Sequence, residues 1–131
     1  MTKVLFVCHG NICRSPMAQY IFERLADEAG VGHCFEVDSA ATSREEIGNP
    51  VYPPARRMLA AHGITGVDHR ARQMDMENLY NARRMTGGDP DGKVEMLLDR
   101  QIDDPWYTDD FQTAYDDILE GCRDLLERLA D

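Results

Sequence analysis

This sequence predicts an α/β fold, a parallel sheet with helices on both faces in three layers, and three observations lead there. The N-terminus is a short apolar run that ends in a turn, strand-like and helix-like stretches alternate after it, and the 131 residues suffice for one core. A single domain over residues 1–131 is therefore expected.

Lys3-Val4-Leu5-Phe6-Val7-Cys8 is continuously apolar after its lysine, the pattern of a central strand buried on both faces. Ser15-Pro16 then opens an amphipathic stretch carrying Met17, Tyr20, Ile21 and Leu25, with Ser15 read as the cap and Gly30 as the stop. Phe35 to Ala40 reads as a second strand, so strand, helix and strand form a right-handed parallel crossover. Gly48, Asn49, Pro50, Pro53 and Pro54 mark a loop, and a helix follows from Pro54 towards Gly63. A further helix is expected over Met76–Met85 and a strand over Lys93–Leu98. From Phe111 to Leu129 apolar residues recur at i, i+3, i+4 and i+7, a long amphipathic helix whose apolar face covers the sheet.

Hydrophobic residues make up 43% and charged residues 29% of the chain, a globular balance without repeats or low-complexity tracts. The formal charge of -10 disfavours nucleic acid and anionic membranes as partners. The apolar run at the start is too short for a membrane span or a signal peptide, so a cytoplasmic location is expected. With no secretion signal read, Cys8, Cys13, Cys34 and Cys122 are expected as free thiols rather than a disulfide framework.

Between the first strand and the first helix lies Cys8-His9-Gly10-Asn11-Ile12-Cys13-Arg14-Ser15, a C-x5-R loop running into a helix N-terminus. Successive backbone N–H groups in such a loop form an anion nest, and the helix dipole adds positive potential, so phosphate can bind despite the acidic chain. The same nest favours a thiolate at Cys8, a nucleophile at neutral pH. Arg14 offers a planar fork for two phosphoryl oxygens, and Ser15 a hydroxyl for the thiolate. Gly10 lets backbone approach the ligand, while Asn11 tolerates left-handed dihedrals. A leaving oxygen needs a proton, and a covalent intermediate needs an activated water, so a carboxyl is required. Asp104, in Asp103-Asp104-Pro105-Trp106-Tyr107, is the candidate, with Trp106 and Tyr107 as an aromatic wall for a flat substrate.

Val7 to Pro16, together with Asp104-Pro105-Trp106-Tyr107, resembles the low-molecular-weight protein tyrosine phosphatases. The likeness continues through Asp38–Ser43, Gly48-Asn49-Pro50, His69–Gln73, Met74–Leu79 and the C-terminal helix. It implies a flavodoxin-like parallel sheet and hydrolysis of phosphotyrosine in proteins or peptides through a cysteinyl-phosphate, with inorganic phosphate as product and neither metal nor cofactor. By the same resemblance Cys8 attacks phosphorus, Arg14 binds the phosphoryl group and Asp104 donates the proton. His9, Gly10, Ile12 and Cys13 complete the phosphate loop, and Asn11, Ser15 and Ser39 hold its shape. Cys13 is further implied as a reversible disulfide partner for oxidised Cys8. The alternatives are an arginine-phosphate phosphatase, disfavoured by the apolar Ile12 where those relatives carry threonine, and an arsenate reductase, disfavoured because no cysteine lies between Cys34 and Cys122. A phosphate-binding module without turnover is a third reading. Oligomeric state is not fixed by these residues.

Two departures from the family stand out. Glu45 occupies the position of an aromatic residue on the loop after the second strand. Between Gln73 and Met74 a turn of helix and a buried strand have no counterpart, with a shorter gap between Arg100 and Gln101, so three strands are expected where the family has four. Loss of an interior strand leaves backbone groups unpaired at about 1 to 3 kcal/mol for each buried group. Either the sheet closes with new pairing, or a second chain supplies the edge, or the natural chain has residues absent from this sequence.

Overall fold

The computed structural model describes residues 2–74, 97, 102 and 104–130. Its first unit is the expected crossover: strand β1 (Thr2–Cys8), helix α1 (Arg14–Glu28), a 3-10 turn (Gly32–Cys34) and strand β2 (Phe35–Ala41). The two strands pair in parallel, with Thr2 opposite Phe35 and Cys8 opposite Ala41. This register sets Val4, Phe6 and Cys8 on the same face as Phe35, Val37, Ser39 and Ala41, because side chains alternate along a strand.

Helix α1 covers that face. Its fully buried Phe22 meets Phe6 with ring centroids 5.8 Å apart and Phe35 edge-on at 5.2 Å. Helix α2 (Pro53–Ala61) starts on two prolines, whose fixed φ and missing N–H suit a first turn, and it buries Ala55 and Leu59. A four-residue helix α3 (Pro105–Thr108), not foreseen as helical, leads into α4 (Phe111–Leu129), whose bounds match the sequence periodicity. Asp110 accepts from Thr113 N and so caps α4, which buries Phe111, Ala114, Tyr115, Ile118 and Cys122 against the α1 side.

The opposite sheet face carries a small cluster of Leu5, Ala40 and Met74. The helix expected over Met76–Met85 lies outside the described residues, as does the strand expected over Lys93–Leu98 except for Leu97. Among the described residues β1 pairs only with β2, and Val7 is 39% exposed. The expectation of burial on both faces is thus corrected at Val7. On its outer edge β2 is extended by a parallel bridge between Ala41 and Gln73, with Met74 N donating to Ala41 O at 2.9 Å.

A second correction concerns the start of α1. Ser15 is not its cap; Cys13 stands there without a capping side chain, and Ser15 lies inside the first turn. The reason is chemical, since the Ser15 hydroxyl is engaged with Cys8 and Asn11 instead. Gly30 ends the helix as expected, at φ 76°, a value glycine adopts without steric cost.

Candidate active site

The loop from Cys8 to Arg14 turns on Asn11, whose φ of 61° is left-handed, while Gly10 needs no such conformation. A non-glycine residue holds that conformation only when its surroundings determine it. Here they do. The Asn11 amide donates to Ser15 Oγ at 2.7 Å and to Ser39 Oγ at 3.0 Å. Its carbonyl oxygen lies 2.7 Å from His69 Nε2 and accepts from Arg72 N at 3.2 Å. Asn11 is fully buried, and these four contacts use every donor and acceptor position of its side chain.

The pattern fixes the directions of the protons. Because Asn11 Oδ1 can only accept, His69 Nε2 carries the hydrogen and donates. Ser39 donates to Gln19 Oε1 at 2.6 Å and accepts from Asn11. Ser15 accepts from Asn11, which leaves its own hydrogen for Cys8 Sγ, 3.0 Å away. Asn11 N also donates to Cys8 Sγ, at 3.2 Å. Two donors therefore converge on the sulfur at the entrance to α1, the arrangement that suits a thiolate.

His69 is itself held in place by Tyr20, whose hydroxyl accepts from Asp68 N at 3.2 Å and His69 N at 3.0 Å. Burial lowers the His69 pKa below its usual 6.5, and Arg72 acts in the same direction, against the opposing pull of Asp38 and Asp68. The neutral ring this favours agrees with a single hydrogen on Nε2. Gln19, Tyr20 and His69 were not singled out from sequence as site residues. His69 and Gln73 belong to the stretch on which the family resemblance rests, the one signal that pointed towards that region.

Cys13 is buried at the head of α1, and its thiol is pushed up to about 12, chiefly by burial and then by the negative charges of Asp104 and Cys8. It stays a neutral thiol beside Cys8, and all four cysteines are free. Arg14 donates to Ile102 O at 3.0 Å and to Asp104 Oδ2 at 3.4 Å. Asp104 caps the short α3 by accepting from Trp106 N at 3.0 Å, and the buried Pro105 fixes the backbone that follows it. The structure thus brings Cys8, Asn11, Arg14, Ser15 and Asp104 to one place from chain positions about a hundred residues apart.

Around this cradle, Tyr52 N donates to Ile12 O at 2.9 Å, and the Tyr52 ring lies 4.7 Å from that of Trp106. Trp106 is 52% and Tyr107 85% exposed, so both rings are presented to solvent instead of filling the core. Across the loop, His9 Nε2 contacts Glu45 Oε2 at 3.1 Å.

A strand-end thiol that two donors face, in a loop opening a helix and with an arginine and an acid beside it, is an arrangement suited chemically to thiol-dependent phosphoryl transfer. The family model described as low molecular weight phosphotyrosine protein phosphatase matches residues 3–83. A relative of that name from Gallus gallus is 38% identical, covering 96% of this chain and 94% of its own length. That alignment runs over 150 positions, more than the 131 residues here, so the relative carries stretches this chain lacks. The crystal structure of YfkJ from Bacillus subtilis superposes with a TM-score of 0.87 at 34% identity, covering 99% of this chain and 95% of that one. SP-PTP, a low molecular weight protein tyrosine phosphatase from Streptococcus pyogenes, gives 0.85 at 31% identity, covering 98% and 93%. This chain belongs to the low molecular weight phosphotyrosine protein phosphatase family.

Proposed function

We propose that this chain hydrolyses phosphotyrosine in proteins or peptides without a metal ion, through a cysteinyl-phosphate on Cys8. The observation that carries the reading is the pair of donors, Ser15 Oγ and Asn11 N, directed at Cys8 Sγ in a loop whose arginine reaches the acid. In the first step Cys8 Sγ attacks phosphorus, the bond to the tyrosine oxygen breaks, and Asp104 gives its proton to that oxygen. Loop N–H groups and the Arg14 fork bind the three non-bridging oxygens as charge shifts among them. In the second step Asp104, now a carboxylate, takes a proton from water as the water attacks phosphorus, releasing inorganic phosphate and the Cys8 thiolate. Ser15 holds the sulfur as leaving group in this step by donating its hydroxyl hydrogen.

The names of the relatives support phosphotyrosine as substrate, and so do the apolar Ile12 and the exposed rings of Trp106 and Tyr107, against which an aryl group packs. The test is hydrolysis of p-nitrophenyl phosphate in the presence of a chelator. Wild-type turnover is expected, with complete loss in Cys8→Ser and a reduction of about 100-fold or more in Asp104→Ala. Turnover that survives Cys8→Ser overturns the mechanism; phosphate binding without turnover favours a binding module.

A further inference from the structure

The rim of the cradle has two chemically different sides. At the Ile12 end stand the rings of Tyr52 and Trp106. At the His9 end, the His9 carbonyl accepts from Ser43 N at 3.1 Å and from Ser43 Oγ at 2.9 Å, which draws the following residues over the loop. Glu45 thereby reaches His9, and both side chains are open to solvent, 61% for His9 and 69% for Glu45. Glu46 lies beside it, its Cγ 3.5 Å from where a Cβ on Gly10 would stand. Its carboxylate takes the neutral amide of Asn49.

The neighbouring arginines are directed elsewhere. Arg44 donates to Gln73 Oε1 at 3.1 Å, Arg70 to Gly48 O at 3.0 Å and Arg72 to Asp38 at 2.7 Å. Among the described contacts of Glu45 and Glu46, no lysine or arginine pairs with either carboxylate. Both residues stand beside the loop, at His9 and at Gly10, so a second acidic group on a substrate seated there adds repulsion where a cation offsets it. The contact with His9 uses one Glu45 oxygen, and a carboxylate accepts on both.

We infer that Glu45, steadied by His9 at the cradle rim, is a specificity-determining residue that selects phosphotyrosine peptides with lysine or arginine next to the phosphorylated residue. The inference rests on the phosphatase reading above and names the substrate class of that same site. An exposed charge contact of this kind is worth about a three- to fivefold preference. The net charge of -10 draws basic peptides in at long range as well, so the local effect must be separated from the global one.

The experiment compares kcat/KM for two phosphotyrosine peptides identical except for lysines or glutamates flanking the phosphotyrosine. Wild type, Glu45→Gln, Glu45→Lys and Glu127→Gln are assayed, with p-nitrophenyl phosphate turnover by wild type alongside. Glu127 is exposed near the end of α4, about 24 Å along the helix from Phe111, and its substitution makes the same change in net charge. The basic-to-acidic ratio is expected to fall about three- to fivefold in Glu45→Gln, to fall further in Glu45→Lys, and to hold in Glu127→Gln. An unchanged ratio in both Glu45 variants overturns the proposal, as does an equal fall in Glu127→Gln. Absence of wild-type turnover on p-nitrophenyl phosphate overturns instead the phosphatase reading, and the proposal with it.

Discussion

Asn11 shows how a single side chain shapes the loop from Cys8 to Arg14. Its left-handed backbone is sterically unfavourable for most residues, and four hydrogen bonds to Ser15, Ser39, His69 and Arg72 hold it there. Replacing Asn11 by alanine removes all four contacts and releases the turn that aims an N–H at Cys8. A drop of about 100-fold in kcat/KM for p-nitrophenyl phosphate is expected, since displacement of about 1 Å has that effect on a preorganised site. Retention of wild-type kinetics would show that the loop keeps its shape without this side chain. The sequence exposed the local part of this device: C-x5-R spacing, a residue tolerant of left-handed dihedrals, and a helix start. Of its distant partners, Ser39 enters through the family resemblance alone, and His69 and Arg72, which meet Asn11 only through tertiary folding, are not legible from pattern. Ser15 was misread as a cap for a related reason, its hydroxyl having two competing uses that only the fold decides.

The elements divide the work between support and delivery. Helix α1 places the phosphate loop by locking Phe22 between Phe6 of β1 and Phe35 of β2, so the orientation of its N-terminus depends on that buried ring. Truncation of Phe22 to alanine is expected to cost about 3 to 5 kcal/mol in urea unfolding, a large cavity penalty for a domain of this size. A loss below about 1 kcal/mol would mean that the layer repacks. Helix bounds were read well wherever periodicity was long, as in α4, and where prolines marked the start, as in α2. The four-residue α3 was missed because an Asp-Pro pair signals only a turn; Asp104 becomes a cap through its bond to Trp106 N. The first strand was read correctly in position, and its burial departs from the expectation at Val7, since apolarity alone does not report which residues are covered.

At the scale of the molecule, the buried network links catalysis to acid stability. His69 is held below its usual pKa of 6.5 mainly by burial, so the unfolded chain binds a proton more readily than the folded one. Stability conferred by the neutral ring is full above about pH 6.5 and declines as pH falls from there towards the lower folded value. Between about pH 8 and pH 5, Tm of the wild type should fall more steeply than that of His69→Gln, which has no ring to titrate. Parallel slopes would remove His69 from the acid response. The described hydrogen bonds that shape Cys8 and Asn11 join residues 8 to 72, while the acid arrives from position 104 and touches the cradle through Arg14. In the mechanism proposed above, holding phosphate and protonating the leaving group thus fall to separate stretches of the chain that meet at Arg14.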